Sequence, residues 1–209
     1  MIAICNTLAY RGADEGSDID LFVVTEKNRI WWARFFLLSF LSIFNLRPKK
    51  NDFKDKFCLS FFIDTENLDI KKVSKDYDDI YLTYWIDQLL PIYDDKIYVK
   101  FYRANSWIKN YIPFSEERVV NKKLIVKLGF CGKLMKKIWQ SKINLLAGNW
   151  TERLLKKWQA KKLPQALKDR VNKNTDVLVR EGMAKFHLND RRNEFYDLWK
   201  TRLDALSAV

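Results

Sequence analysis

The chain has 209 residues, of which 48% are hydrophobic and 31% are charged, so we expect a folded protein of one large domain or two small ones. Its one histidine, His187, excludes HExxH metalloproteases and every other mechanism that needs two imidazoles. Its six glycines form neither G-x-G-x-x-G nor G-x-x-x-x-G-K, which excludes the dinucleotide fingerprint and the P-loop. A formal net charge of +12 is typical of a protein with a polyanionic partner or a well-solvated surface.

The first part of the chain alternates short apolar runs with polar loops. Residues 1–5, 18–25 and 57–64 are apolar runs with β-branched or aromatic residues, and they predict three strands. Residues 30–46 predict a long apolar helix. This helix is shorter than the roughly 20 apolar residues of a membrane span, and it contains Arg34, so we expect no span. The segment is expected to be buried or covered by a partner, and contact with a membrane is the alternative.

The rest of the chain is predicted to be helical. Residues 80–93 and 98–111 have apolar positions at helical spacing. Residues 116–209 read as helices throughout, including an amphipathic basic helix that opens near residue 149 and stops at Pro164. Its tryptophans are expected to be core residues on an apolar stripe, which is formed by Trp150, Leu154 and Trp158. The predicted fold class is therefore α+β, followed by an all-helical basic part.

Charge divides the chain into two parts of different character. Residues 1–115 contain 16 basic and 16 acidic side chains, whereas residues 116–209 contain 22 basic and 10 acidic ones. This asymmetry favours two domains, 1–115 for chemistry and 116–209 for contact with RNA or another polyanion. A solvated helical surface is the alternative interpretation of the basic half.

The three cysteines are odd in number, widely spaced and embedded in apolar runs. Such cysteines are typical of reduced, packed thiols in a cytoplasmic protein. These residues are Cys5, Cys58 and Cys131.

Asp18 and Asp20 stand two residues apart at the head of the second predicted strand. Their side chains therefore share one face, with Cα atoms about 7 Å apart. Two carboxylates on one face can hold one or two Mg²⁺ ions, and the natural use of such a site is metal-assisted phosphoryl transfer. The alternative is that both aspartates are solvated at a strand end.

The segment 5–12, leading into residues 16–21, resembles the signature of the nucleotidyltransferase superfamily, which includes DNA polymerase β and the small MNT-type proteins. In that family an apolar strand ends in Gly-Ser, a short helix follows, and Asp-x-Asp comes about a dozen residues later. Here Asn6 and Thr7 occupy the Gly-Ser position, and Asp18 follows Asn6 by 12 residues. The resemblance covers roughly residues 1–70.

The resemblance implies that Asp18 and Asp20 are metal ligands and that Thr7 bonds a phosphate oxygen. It also implies that Asn6 and Ser17 contact the nucleotide. The implied cofactor is Mg²⁺, and the implied donor is a nucleoside triphosphate, with ATP as the first candidate. Thr7 keeps the hydroxyl of the family's serine, whereas Asn6 places a side chain where glycine would let the backbone approach the phosphates.

A third carboxylate in this family lies on a neighbouring strand and takes the proton of the attacking hydroxyl. The position expected for it here is Ser60, in the third predicted strand. Asp64 points to the same face but lies about 13 Å farther along, and it is the candidate catalytic base. Without it, a water or the substrate loses the proton unaided, or the site is inactive.

The resemblance therefore implies an enzyme that transfers a nucleoside monophosphate to a hydroxyl of a small molecule, a protein or RNA. The alternative is a catalytically weakened member that binds nucleotide or nucleic acid. A glycosyltransferase, which also uses Asp-x-Asp, normally needs a longer nucleotide-binding domain than the roughly 115 residues available.

Overall fold

The structure is a computed structural model, and it describes residues 1–49, 52–118, 123–130, 132–134, 136–138, 141, 149–188 and 190–207. Within these residues the strands are β1 (Ile2–Ile4), β2 (Ile19–Thr25), β3 (Phe57–Asp64), β4 (Leu90–Tyr93), β5 (Val177–Arg180) and β6 (Met183–Phe186). The α-helices are α1 (Asn6–Ala9), α2 (Ile30–Ile43), α3 (Ile80–Asp87), α4 (Tyr98–Ala104), α5 (Asn149–Lys161), α6 (Gln165–Lys168) and α7 (Arg192–Ser207). Short 3₁₀ helices occupy Lys71–Val73 and Ser106–Asn110. The predicted α+β class is confirmed.

All six strands belong to one mixed sheet, in the order β4-β1-β2-β3-β6-β5. The strand β1 is antiparallel to both β2 and β4, and β6 is antiparallel to both β3 and β5. The pair β2 and β3 is parallel, with α2 as the crossover between them. Parallel neighbours need such a crossover connection, which explains why a long helix separates these two strands.

Each face of the sheet buries its own apolar cluster. On one face Phe22 and Phe61 pack with Trp85 of α3 and Phe101 of α4. On the other face the strand residues pack against α2, which contributes its buried Trp31, and against α5. Because β2 and β3 bury both faces, their sequences are almost continuously apolar.

The second half of the chain is not entirely helical, contrary to the prediction. The strands β5 and β6 form a hairpin, and β6 pairs with β3, so the sheet crosses the predicted boundary between residues 115 and 116. The hairpin turn depends on Gly182, which has a φ of +67°, a conformation that L side chains rarely adopt. The β-branched pattern of residues 177–179 and this glycine are the local signals of the hairpin.

Two predicted helices end earlier than expected. Residues 80–93 divide into α3 and the edge strand β4, because the last four residues pair with β1. Residues 98–111 divide at Asn105, whose buried side chain bonds the backbone of three residues. Its amide Nδ2 donates to the carbonyls of Leu68 and Phe101, and its Oδ1 accepts from the Ile70 N–H. Such side-chain bonds to the backbone compete with a continuous helix.

The expected core stripe of α5 is exposed. Trp150, Leu154 and Trp158 are 64%, 53% and 45% exposed, while the buried positions of α5 are the polar residues Glu152 and Gln159. Glu152 accepts hydrogen bonds from two backbone N–H groups of the first turn of α2, at 2.7 and 3.1 Å. The face of α5 that docks therefore carries Glu152 and Gln159 together with the half-buried Leu155, and Glu152 satisfies donors that the first turn of α2 leaves open.

No helix within the described part of the chain is long and apolar enough to cross a membrane. Cys5 and Cys58 are free thiols, as predicted. Cys131 lies outside the described residues.

Candidate metal site

Asp18, Asp20 and Cys58 converge at one end of the parallel strand pair. Each offers one ligand atom, and these three atoms lie within 4.8 Å of one another. Cys58 reaches the pair because it is directly opposite Asp20 in the register of β2 and β3. The two aspartates therefore share one face, as predicted, and a thiol occupies the third position beside them.

The expected third position, Ser60, is not opposite either aspartate in the register, and its side chain contacts Cys58 instead. Asp20 pairs with Cys58 and Phe22 with Phe61, so β3 uses one residue more than β2 over this interval. An extra residue in one strand changes the alternation of side chains beyond it. Ser60 is 5% exposed, and its Oγ lies 3.1 Å from Nε2 of His187.

Asp64 is not brought to the pair. It is opposite Thr25 in the register and lies six residues beyond Cys58, a separation of about 20 Å along the strand. Its carboxylate is almost completely buried and accepts hydrogen bonds from the Glu66 N–H at 3.1 Å and from Asn67 Nδ2 at 2.8 Å. Asp64 thus organises the turn after β3, and this geometry gives it no access to a hydroxyl bound at Asp18 and Asp20.

Asn6 is held against the carboxylate pair by the turn that follows β1. Its φ is +55°, in the left-handed region that asparagine tolerates better than most residues. Its Nδ2 donates to Oδ2 of Asp20 at 2.7 Å. Its Oδ1 accepts from Nε1 of Trp85 at 2.9 Å and from the Tyr81 hydroxyl at 3.3 Å. The side-chain amide is therefore fixed on both sides.

Sequence reasoning missed the role of Tyr81 and Trp85 in this arrangement. Both lie within residues 80–93, where helical spacing of apolar positions predicts packing alone, and they stand four positions apart on α3. The same spacing places two aromatic donors on one helix face, and donors of this kind usually find a partner when they are buried.

Thr7 and Ser17 lie in the segments that flank the pair. The Thr7 side chain is exposed on α1, and its carbonyl accepts from the Gly12 N–H at 2.9 Å, which closes the turn. The Ser17 hydroxyl donates to Oδ1 of Asp14 at 2.8 Å and accepts from the Asp14 N–H at 2.9 Å. Thr7 is thus the more open of the two hydroxyls, while Ser17 is engaged within its own loop.

Burial dominates the electrostatics of the cluster. It raises the pKa of Asp18 above the ordinary value. It also raises the pKa of Asp20, where the nearby charge of Asp18 acts in the same direction and the hydrogen bond from Asn6 acts against it. Burial, followed by the charges of both aspartates, raises the pKa of the Cys58 thiol far above its usual range, so this thiol is neutral at neutral pH.

The donor set fits a divalent cation. Two carboxylates on one face suit a hard ion such as Mg²⁺, and a positive charge between them would relieve the cost of placing both in a partly buried site. The neutral thiol of Cys58 is a soft group and adds little to a hard ion. The cluster is thus best suited to cation binding through Asp18 and Asp20.

Comparison of the chain with protein-family models, with curated proteins and with solved structures finds no match.

Proposed function

We propose that the chain is a Mg²⁺-dependent nucleotidyltransferase that transfers a nucleoside monophosphate from a nucleoside triphosphate to a hydroxyl acceptor. ATP is the first candidate for the donor. The observation that carries the proposal is the convergence of Asp18 and Asp20 at the start of β2, beside the turn that follows β1. The order β1-α1-β2, with a short helix between the first strand and the two aspartates, supports the family resemblance of the sequence.

Each residue of the site has a separate role in this proposal. Asp18 and Asp20 hold the metal ion, which when bound neutralises phosphate charge and brings the donor and the acceptor together. The exposed hydroxyl of Thr7 bonds a phosphate oxygen. Asn6 orients the Asp20 carboxylate through the 2.7 Å hydrogen bond, while Trp85 holds the asparagine amide in place.

Removal of the proton from the acceptor hydroxyl is the step of the reaction that this site supports least. Asp64 lies at the far end of β3, and Cys58 is a neutral thiol, so neither provides a carboxylate base at the pair. Within the cluster the proton therefore goes to one of the two metal-binding carboxylates or to solvent. We expect slow turnover for this reason.

A second candidate function is a nucleotide-binding module that has lost most of its transfer activity. Two observations favour it: Asn6 bonds a lone pair of Asp20, and Cys58 stands where a third carboxylate would face the other two. In this case nucleotide binds with Mg²⁺ but no transfer follows. The basic residues of the second half would then retain RNA or another polyanion in a salt-sensitive manner.

The decisive assay follows label from each nucleoside triphosphate, labelled at the α-phosphate, into RNA, protein and small molecules in the presence of Mg²⁺. We expect Asp18→Asn and Asp20→Asn each to abolish transfer. The matched control is Glu15→Gln, which removes an exposed carboxylate outside the cluster and should leave transfer unchanged.

Calorimetry with Mg²⁺ and a non-hydrolysable triphosphate separates the two functions. Metal uptake with nucleotide, but without transfer, supports the binding module. Transfer that survives both aspartate substitutions contradicts the assignment of the site, and absence of both metal uptake and transfer rules out the two functions together.

A further inference from the structure

The outer face of α2 is apolar to an extent that its packing on the sheet does not explain. Phe40, Ile43 and Phe44, at the end of this helix, are 54%, 77% and 59% exposed. Over its 14 residues α2 contains no acidic residue and one basic residue, Arg34. Exposed apolar surface of this kind marks a binding surface when it is continuous.

Arg34 does not interrupt that apolar face, because it turns towards the interior. Its Nη1 donates to Oε1 of Gln159 at 2.7 Å, and its guanidinium lies 4.7 Å from the ring centroid of Phe186. The side of α2 that points away from the sheet therefore carries aromatic and aliphatic side chains without a charge.

The helix α5 extends this surface and adds cations at its side. The carboxylate of Glu152 and the amide of Gln159 bind the backbone of Trp31, which fixes α5 beside α2. The ring of Phe35 contacts those of Trp158 and Phe36 at centroid distances of 6.0 and 5.4 Å. Phe36 begins a row at i, i+4 and i+8 that ends in the Phe40 and Phe44 pair, so the aromatic side chains of the two helices adjoin. We call this surface the α2–α5 face and define it by Phe40, Ile43, Phe44, Trp150, Leu154 and Trp158.

Basic side chains lie beside the apolar row of α5. The exposed cations of this part are Arg153, Lys157, Lys161 and Lys162. The Lys162 Nζ lies 3.8 Å from the ring centroid of Trp158, which places a cation directly on one of the exposed rings. Charge is thus concentrated at the α5 side, and the purely apolar side chains are concentrated on α2.

A groove of about 440 Å³ runs along α2 next to this face. Trp32 and Phe36 line it, and their rings stack at a centroid distance of 5.5 Å. Apolar residues of β1 and β2 form much of its other walls, and four charged residues also line it: Glu26, Arg29, Asp95 and Lys136.

We propose that the α2–α5 face binds the surface of a bilayer that contains anionic phospholipids. The apolar row of α2 enters the boundary between headgroups and acyl chains, while the tryptophans and lysines of α5 lie at headgroup level, where both residue types are favoured. Charge complementarity argues for this occupant, since the chain carries a net charge of +12 and the cations of α5 rim the apolar face.

The arrangement fits a lipid surface better than single-stranded nucleic acid or a second copy of the chain. Nucleic acid is held by cations that follow its backbone beside the stacking rings, whereas the one cation within α2, Arg34, turns to the interior. A second copy would bring the same row of lysines into opposition. This inference does not depend on nucleotidyltransferase activity.

The test is co-sedimentation of the full chain with vesicles of phosphatidylcholine alone or of an equal mixture with phosphatidylserine. We expect binding to the mixed vesicles, weakening as salt is raised, with a blue shift of tryptophan fluorescence. The apolar variant Phe40→Ser/Ile43→Ser and the charge variant Lys157→Glu/Lys161→Glu should each weaken binding by about tenfold or more.

The matched control is Lys100→Glu/Lys109→Glu, which reverses two exposed lysines away from this face and should change binding less than about twofold. Circular dichroism checks that each variant is folded. Equal binding of all variants, or no binding to either vesicle, overturns the proposal. If the chain binds labelled oligouridine but not vesicles, and both variants lose this binding, the face would be assigned to nucleic acid. A change of oligomeric state in the apolar variant would assign it to a second copy.

Discussion

Replacement of Arg192 by methionine is expected to destabilise the fold by about 3–5 kcal/mol, because it leaves the buried carboxylate of Asp79 without its counter-ion. Arg192, the first residue of α7, is 4% exposed. Its Nη1 donates to Oδ2 of Asp79 at 2.9 Å and to the Val73 carbonyl at 2.8 Å. Its Nε donates to Oδ1 of Asp190 at 2.9 Å. The guanidinium thus ties α7 to the N-terminus of α3, where Asp79 caps the helix.

The adjacent Arg191 provides a matched control. It lies just before α7 and pairs with Glu194 of that helix, and the two side chains are 64% and 51% exposed. Exposed pairs of this kind contribute about 0.2–1 kcal/mol, so Arg191→Met should be nearly neutral. In a chain of this length the difference between the two variants corresponds to a shift in Tm of about 10 °C.

Urea denaturation at neutral pH, followed by circular dichroism, measures both free energies of unfolding. Arg192→Lys serves as a third variant, and it should recover part of the loss because it keeps the charge but not the forked geometry. If Arg191→Met and Arg192→Met were equally destabilising, or if Arg192→Met cost less than about 1 kcal/mol, the reasoning about the buried network would be refuted.

Three further predictions concern single positions. Burial lowers the pKa of His187 to about 4. The unfolded chain therefore binds this proton at a higher pH than the folded one, and stability that is complete above pH 6.5 falls by about 3 kcal/mol in total as the pH falls towards 4. Since it is the one histidine, a single ring resonance in NMR reports its titration, and His187→Gln should remove this part of the pH dependence. Cys58→Asp should lower Tm without metal and enlarge the Tm increase on adding Mg²⁺, whereas Cys58→Ser should change neither, as thermal unfolding with and without Mg²⁺ will show. Gly182→Ala should cost about 1–3 kcal/mol in urea denaturation, since its Cβ would lie 1.9 Å from Asn67 Nδ2 at a φ of +67°, while Gly129→Ala, with nothing within 4 Å, is the control.

The sequence predicted those elements whose signal is local. Strands β1, β2 and β3 are apolar runs, and α2 and α5 have clear helical periodicity, so each was placed close to its observed bounds. The convergence of Asp18 and Asp20 on one face also follows from strand alternation alone. The short strands β4, β5 and β6 are strands because they pair with distant segments, and propensity over four residues does not reveal such pairing.

The errors at the site and on α5 have physical causes of the same kind. The irregularity in β3 changes which residue faces the aspartates, and it depends on pairing with β2 rather than on the sequence of β3 alone. On α5 the apolar stripe was assigned to the core, but the buried positions are Glu152 and Gln159. Those two residues bond the backbone of α2. The sequence does not show that these backbone groups lie beside α5, because this depends on how the two helices pack.

The turn after β1 explains how the two candidate functions can share one site. A carboxylate has about four lone-pair positions, so Asp20 can accept the Asn6 amide and still bind a cation through its other oxygen. The amide is neutral and does not replace the charge of a metal ion, while the contacts of Trp85 and Tyr81 keep it from swinging away. Asn6 therefore fixes the direction of the Asp20 carboxylate without satisfying its charge. In both proposed functions the Asn6 side chain would stand where a phosphate approaches the turn, so we expect its removal by Asn6→Gly to improve nucleotide binding more than metal binding.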